Sequence, residues 1–291
     1  MYDYERNYDS VGYATLILSK ALLPCRDPKI DTLVVERGGY VYTLHADVGI
    51  PYGRYSRLIL AYLTTQAYIR SIDSSIPDKE KRTVPLGRTF NDFLRNIGIA
   101  TPGRHISGRT RSLARDHLDR VTSLTVTLKP RYACSPTEID KVLFAISKRI
   151  HWDDGDQSKN RYCLLDEDFY REAAGRGVPF DLRIINKLSQ PSAFDFYMWA
   201  TYNVFTQSPY GGTMLTWTSA KHIFGTDYKD DADGRKNFKR RFRQTVNQVA
   251  EAWPKLEWTA TQKGIYLPSQ DPSVTATVPH REQIRRELGG E

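Results

Sequence analysis

Cysteine is scarce in these 291 residues: Cys25, Cys134 and Cys163 form no CxxC pair and have no histidine at zinc-ligand spacing. That pattern argues against a disulfide framework and against a structural zinc site, and reads as reduced, partly buried thiols. No apolar run reaches the length of a membrane-spanning helix. The opening MYDYERNYDS is polar and acidic where a secretory signal has a basic stretch and then an apolar one, so the expected compartment is the cytoplasm. A GxxxxGK[ST] loop is missing, which removes the expectation of nucleotide hydrolysis. No two of His45, His105, His117, His151, His222 and His280 stand as His-x-His, the pair with which a rolling-circle nickase holds its metal beside a tyrosine. Asp153-Asp154-Gly155-Asp156 and Asp230-Asp231-Ala232-Asp233-Gly234 lack the alternation and closing glutamate of a calcium loop and read as solvated turns. His117-Leu118-Asp119-Arg120 matches the His-x-x-Arg pair of tyrosine recombinases literally. His117 falls on the buried phase of its helix, however, and reads as a core histidine. No catalytic residue, cofactor or metal is expected.

What the chain does have is positive charge. Lys and Arg number 42 against 34 Asp and Glu, a formal net charge of +8, which favours an acidic partner such as nucleic acid or an anionic membrane. A hydrophobic content of 40% and this length suit one large domain or two ordinary ones with proper cores. The charge concentrates between Asp233 and Trp253, DGRKNFKRRFRQTVNQVAEAW. Phe238, Phe242, Val246, Val249 and Trp253 recur there at the spacing of one helical face. Lys236, Arg240, Arg243, Gln244 and Asn247 fall on the opposite face, and no carboxylate follows Asp233 in the first half. A charged face alone is as often mere solvation, so its neighbours decide. Thr216–Gly225 reads as a short helix capped by Thr or Ser and ended by a left-handed Gly225, and LEWTATQKGIYLPS as a two-stranded hairpin. Short helix, basic helix and hairpin make a winged helix-turn-helix with the basic helix in the recognition position.

Taken in order, Ser10–Leu23 shows helical spacing and ends at Pro24. TLVVERGGYVYTLHA is a hairpin about Gly38-Gly39, and Pro51–Ile69 is a core helix. Thr89 caps FNDFLRNIG, which stops at Gly98. GRHISGRTRSLARDHLDRV is a second basic helix followed by the strand Thr122–Leu128. Leu113, His117 and Val121 mark its buried face, leaving Arg109, Ser112, Arg115, Asp116 and Asp119 outward. The order of elements repeats that of the later half, which predicts a diverged internal repeat of two winged helices. From Lys129 to Asn160 runs an insertion in which Ser135-Pro136-Thr137-Glu138 is a capping box before Ile139, Val142, Leu143, Ile146 and Ile150, predicting a helix over 136–150. Ser192 to Asp195 caps the apolar helix that opens the later half.

The expected fold class is α+β, mainly α, with tandem winged-helix domains. Its divisions are an N-terminal helix and hairpin extension (1–48), a first winged helix with a helical insertion in its hairpin (49–174), a second that is the main DNA reader (175–272) and a flexible tail (273–291).

A family resemblance runs through these blocks. Ile50-Pro51-Tyr52-Gly53-Arg54-Tyr55-Ser56-Arg57-Leu58-Ile59-Leu60, Leu86-Gly87-Arg88 with Phe93, Phe194-Asp195-Phe196-Tyr197-Met198-Trp199, Trp217, Phe224-Gly225 and Gly264–Ser269 resemble, in this succession, the plasmid-encoded RepA-type replication initiators. Ser56 departs from the proline expected there. The resemblance implies tandem winged helices that bind direct repeats at a plasmid origin. It also implies engagement of a host initiator and the replicative helicase, and a homodimeric form that represses its own promoter. A winged-helix transcriptional repressor without a replication role is the alternative on the same residues. In the second domain Arg240, Arg243, Gln244 and Asn247 are expected to face the major groove, and Arg235, Lys236, Lys239 and Lys263 to hold phosphates. Arg104, Arg109, Arg111 and Arg115 are the expected backbone contacts of the first. Trp258, Tyr266 and Tyr210 are aromatic candidates for base stacking, with packing in the wing as the simpler role.

Overall fold

The computed structural model describes residues 11–15, 23–100, 105–131, 142–151, 161–175, 178–206 and 211–274. The chain divides into two units, Tyr13–Gly177 and Val178–Glu291, the second also taking Met1–Gly12.

Strand β1 (Val11–Ala14) is divided between the units, Tyr13 and Ala14 falling in the first. The first unit then runs β2 (Thr32–Arg37), β3 (Tyr40–His45), α1 (Gly53–Ile72), β4 (Thr83–Gly87), α2 (Phe90–Asn96), α3 (Gly108–Thr122), β5 (Thr125–Pro130), β6 (Val142–Ala145), β7 (Ser147–His151), β8 (Arg161–Leu165) and α4 (Glu167–Gly175). Helix α1 is the centre of this unit: Leu58, Ile59, Leu60, Ala61, Leu63 and Ala67 are all buried. Its entry is held by Arg57, whose guanidinium donates to the carbonyls of Leu23, Pro24 and Gly53. Thr89 caps α2, as the sequence predicts, and Asp92 completes a full capping box with it.

The antiparallel sheet β4-β8-β7 completes a winged helix, with β7 and β8 as its wing strands. A second antiparallel sheet, β2-β3-β5-β6, contains the Gly38-Gly39 hairpin. The hairpin is therefore no separate extension: β3 pairs with β5 along its whole length.

Three sequence expectations change here. Val11–Ala14 is a strand and not the start of a helix; the Tyr13 amide donates to Thr65 Oγ1 at 2.9 Å and its ring stacks on Tyr68. Residues 16–22 of that expected helix lie outside the described residues. The helix expected over 136–150 is two strands where it is described, β6 and β7. Val142 and Ile150 are β-branched and pair with Leu128 of β5 and Cys163 of β8, so partners on other strands override a helical period. Finally Thr122–Leu128, expected as a wing strand, forms the end of α3 and then β5, which pairs into the other sheet.

His117 is 2% exposed and shares a 2.9 Å hydrogen bond with Ser56 Oγ, while the Tyr52 and Tyr55 rings lie against it. The serine that departs from the family pattern thus supplies the buried imidazole's partner. Burial lowers the His117 pKa below 6.5, opposed by Asp116, reinforced by Arg120 and opposed by Asp27. The unfolded chain then takes the proton more readily than the folded one. Stability is complete above about pH 6.5 and declines as the pH falls toward the lower folded value. Urea unfolding of the intact chain from about pH 7.5 down to about pH 5 should show that decline, and a His117→Gln variant should lack this component of it.

The second unit continues with β9 (Val178–Asp181), α5 (Leu182–Lys187), α6 (Pro191–Thr206), β10 (Thr213–Thr216), α7 (Trp217–Phe224), α8 (Ala232–Ala252), β11 (Thr259–Ala260) and β12 (Gly264–Leu267). The stretch Val178–Leu188 is a strand and then a helix capped by Asp181. Helix α6 opens on Pro191, just before the expected cap. Its Phe196 meets Phe242 edge to face at 5.4 Å, and Phe224 and Phe238 stack on Phe242 at 5.1 and 5.3 Å. These rings join α6, α7 and α8 into one core.

The sheet order β10-β12-β11 matches β4-β8-β7 strand for strand: the strand before the helix pair lies beside the last, and the middle one is outside. The two units are the expected tandem winged helices. Gly225 ends α7, but at φ −123°, not in the left-handed region. Glycine is needed there because a Cβ would come 2.6 Å from the Phe238 ring.

Candidate nucleic-acid interface

Helix α8 begins at Asp231, whose carboxylate accepts the Gly234 amide at 2.7 Å. Asp230 meanwhile holds Lys221 Nζ at 2.8 Å. The acidic cluster is thus a helix start and an ion pair, which accounts for its sequence without a cation. Phe238, Phe242, Thr245, Val246, Val249 and Ala252 form the buried face. Opposite them Arg235, Lys236, Arg240, Arg243, Gln244 and Asn247 are exposed, and Lys239 is half-buried. Arg241, which the sequence reading passed over, is exposed on the flank.

The described ion pairs of this unit are Arg183 with Asp181 and Lys221 with Asp230; none involves a cation of α8. Lys236–Arg240 and Lys239–Arg243 are like charges four residues apart, each costing roughly 0.2–0.5 kcal/mol in an isolated helix. A polyanion laid along this face would remove that repulsion.

Two of these cations are held in place by an indole. Trp217, at the start of α7, is 7% exposed. Lys239 Nζ lies 5.6 Å and Arg243 Cζ 5.1 Å from its ring centroid, within cation–π range. Its Nε1–H donates to the Thr261 carbonyl at 3.2 Å, and its amide donates to the Lys263 carbonyl at 2.9 Å. One residue therefore ties α8 to the wing. In the sequence Trp217 stands out only as a family position, because no local spacing links residue 217 to 239, 243 and 261.

Exposed Lys263 sits at the wing turn, which Thr261 closes: its Oγ1 accepts the Lys263 and Gly264 amides at 3.2 and 3.0 Å. Trp258 and Tyr266 are half-buried in the wing, and Tyr210 lies outside the described residues. A Cβ at Gly264 would overlap the Leu215 carbonyl oxygen in the neighbouring strand. Gly264→Ala should therefore cost about 1–3 kcal/mol of stability, read as a lowered urea midpoint.

The corresponding helix of the first unit, α3, carries Asp116 and Asp119 among its cations. Ser107 caps α3 by accepting the Thr110 amide at 3.1 Å. Arg109, Arg111 and Arg115 are exposed; Arg104 lies outside the described residues. Arg115 covers the Phe90 ring at 5.1 Å. Arg120 is taken up by Asp116 at 3.0 Å and Asp27 at 3.6 Å. Leu113, expected inside, is 37% exposed. The buried set is Ala114, His117, Leu118 and Val121, a regular three-and-four spacing that leaves Leu113 at its margin. His117 faces the core and Arg120 is paired with carboxylates, so the recombinase-like motif is not assembled as a site.

Among the described residues no helix is long and apolar enough to cross a membrane. No curated protein sequence matches the chain. Among solved structures, the crystal structure of domains 2 and 3 of RctB is similar with a TM-score of 0.56 at 13% identity, covering 88% of this chain and 97% of that one. A second RctB domain 2–3 structure has a TM-score of 0.48 at 14% identity, with 86% and 94% covered. The first likeness is one of fold, and its length takes in both winged helices. The family model described as plasmid encoded RepA protein matches residues 50–218, more than half of the chain, which therefore belongs to that family.

Proposed function

We propose that this chain is a plasmid replication initiator that binds repeated double-stranded sites at its origin, acts without catalysis and engages host replication proteins. The observation that carries the reading is the face of α8: exposed cations without described carboxylate partners, beside an exposed wing lysine, on a winged helix. Arg240, Arg243, Gln244 and Asn247 are suited to base edges, since Arg forks match guanine and amides match adenine. Arg235, Lys236, Lys239 and Lys263 suit phosphates. Arg109, Arg111 and Arg115, with Arg104 before them in sequence, suit backbone contacts by the first unit, the weaker because aspartates share its helix. Family membership favours replication over transcriptional control alone.

The test is a plasmid carrying only this gene and its neighbouring repeats. Autonomous replication is the expected result. Failure to replicate, with repression of a promoter overlapping the repeats intact, would make the chain a repressor and overturn the initiator reading.

A further inference from the structure

Arg70 at the end of α1, Arg88 just after β4 and Arg161 at the start of β8 converge on one open cavity of about 690 Å³, which His151 and Tyr162 also line. Sheet register brings them together: Gly87 pairs with Arg161, and His151 with Tyr162. Arg161 is 5% exposed, and its guanidinium donates to the Arg88 carbonyl. Arg70 donates through Nη2 to the Glu80 carbonyl at 3.0 Å, while its Nε is buried with no hydrogen-bond partner among the described residues. Arg88 is exposed at the rim. The carboxylate lining this cavity, among the described residues, is that of exposed Glu80. Arg70 and Arg88 thus bring two guanidiniums to a lining with one described carboxylate, beside a His151–Tyr162 stack at 5.2 Å.

We propose that this cavity binds a phosphate group, and that the group is carried on a nucleic-acid backbone. Planar guanidinium forks match phosphate oxygens in pairs. The aromatic stack gives the cavity a flat wall suited to the sugar or base next to a phosphate. The cavity lies apart from the exposed arginines of α3 and supplies the first unit with charge that its recognition helix shares with aspartates. The phosphate chemistry stands on the cavity alone; the nucleic-acid source rests on the proposed function.

The test uses the full chain, with Arg88→Gln and Arg70→Gln variants, in two arms. Inorganic phosphate titrated calorimetrically should bind saturably, and each variant should weaken it tenfold or more with thermal melting retained. Duplex affinity measured against salt should show a log–log slope smaller by about 1 in Arg88→Gln. Weakened phosphate binding with an unchanged duplex slope would overturn the backbone source and assign the cavity to a free nucleotide's phosphate. Phosphate binding that is absent, or unaffected by both substitutions, would overturn the site. If the chain bound no duplex, the phosphate arm would still decide the site, and the failure would fall on the proposed function.

Discussion

Alanine at both Arg240 and Arg243 should lower affinity for the origin repeats by about 2–6 kcal/mol, at least roughly thirtyfold, if each makes a bidentate base contact worth about 1–3 kcal/mol. Melting should fall only slightly, because both side chains are exposed, neither has a described ion pair to lose, and the Arg243 contact with Trp217 is worth about 0.5–1 kcal/mol. Relief of repulsion within α8 adds only tenths of a kcal/mol. The single substitutions separate their roles. Arg240→Ala removes a cation with no ring beneath it, whereas Arg243→Ala also uncovers Trp217. Arg243→Lys keeps the charge but not the fork, so it should lose discrimination between repeats and random duplex more than it loses total binding. Electrophoretic mobility shifts on both duplexes would measure this. Equal binding by the double variant would remove α8 from the interface.

Trp217→Ala should be the most damaging single change in the second unit, costing about 3–5 kcal/mol of stability as a buried indole becomes a cavity. Its effect on DNA binding should exceed what unfolding explains, because Lys239, Arg243 and the wing lose a common support. Trp217→Phe distinguishes the two effects. It retains most of the apolar volume but leaves the Thr261 carbonyl without its donor and weakens the cation–π contacts. A variant that melts within a few degrees of the native chain yet binds the repeats severalfold more weakly would establish positioning. Unchanged affinity in Trp217→Phe would reduce Trp217 to packing.

What could be read from the sequence was what is local or strongly periodic. Helix α8 announced itself through the apolar period from Phe238 to Trp253, the β2–β3 hairpin through Gly38-Gly39, and α2 through its Thr89 cap and Gly98. Partner choice was not legible. Nothing near residue 147 says that Ser147–His151 will pair with β8, nor does anything near 125 send β5 to β3, some eighty residues away. The apolar spacing of Val142, Ile146 and Ile150 is compatible with a helix until those edges are present, and β-branching then favours the strand. At the interface the outward face of α8 followed from its period. Trp217 and the Arg70, Arg88 and Arg161 cavity did not, because each is assembled from segments that only the fold brings together. The phase of α3 failed at Leu113 for a smaller reason: two adjacent apolar residues, Leu113 and Ala114, each fit a helical stripe, and the better packed stripe takes Ala114.

The measurement that tests the central claim most directly is a salt titration of affinity for the plasmid's own repeats and for random duplex of equal length. Specific reading by α8 predicts strong preference for the repeats and a log–log slope near −0.9 per phosphate neutralised, hence roughly −6 for about six contacts. Equal affinity for the two duplexes at every salt concentration would show a basic surface that merely adheres to DNA, and would contradict the account.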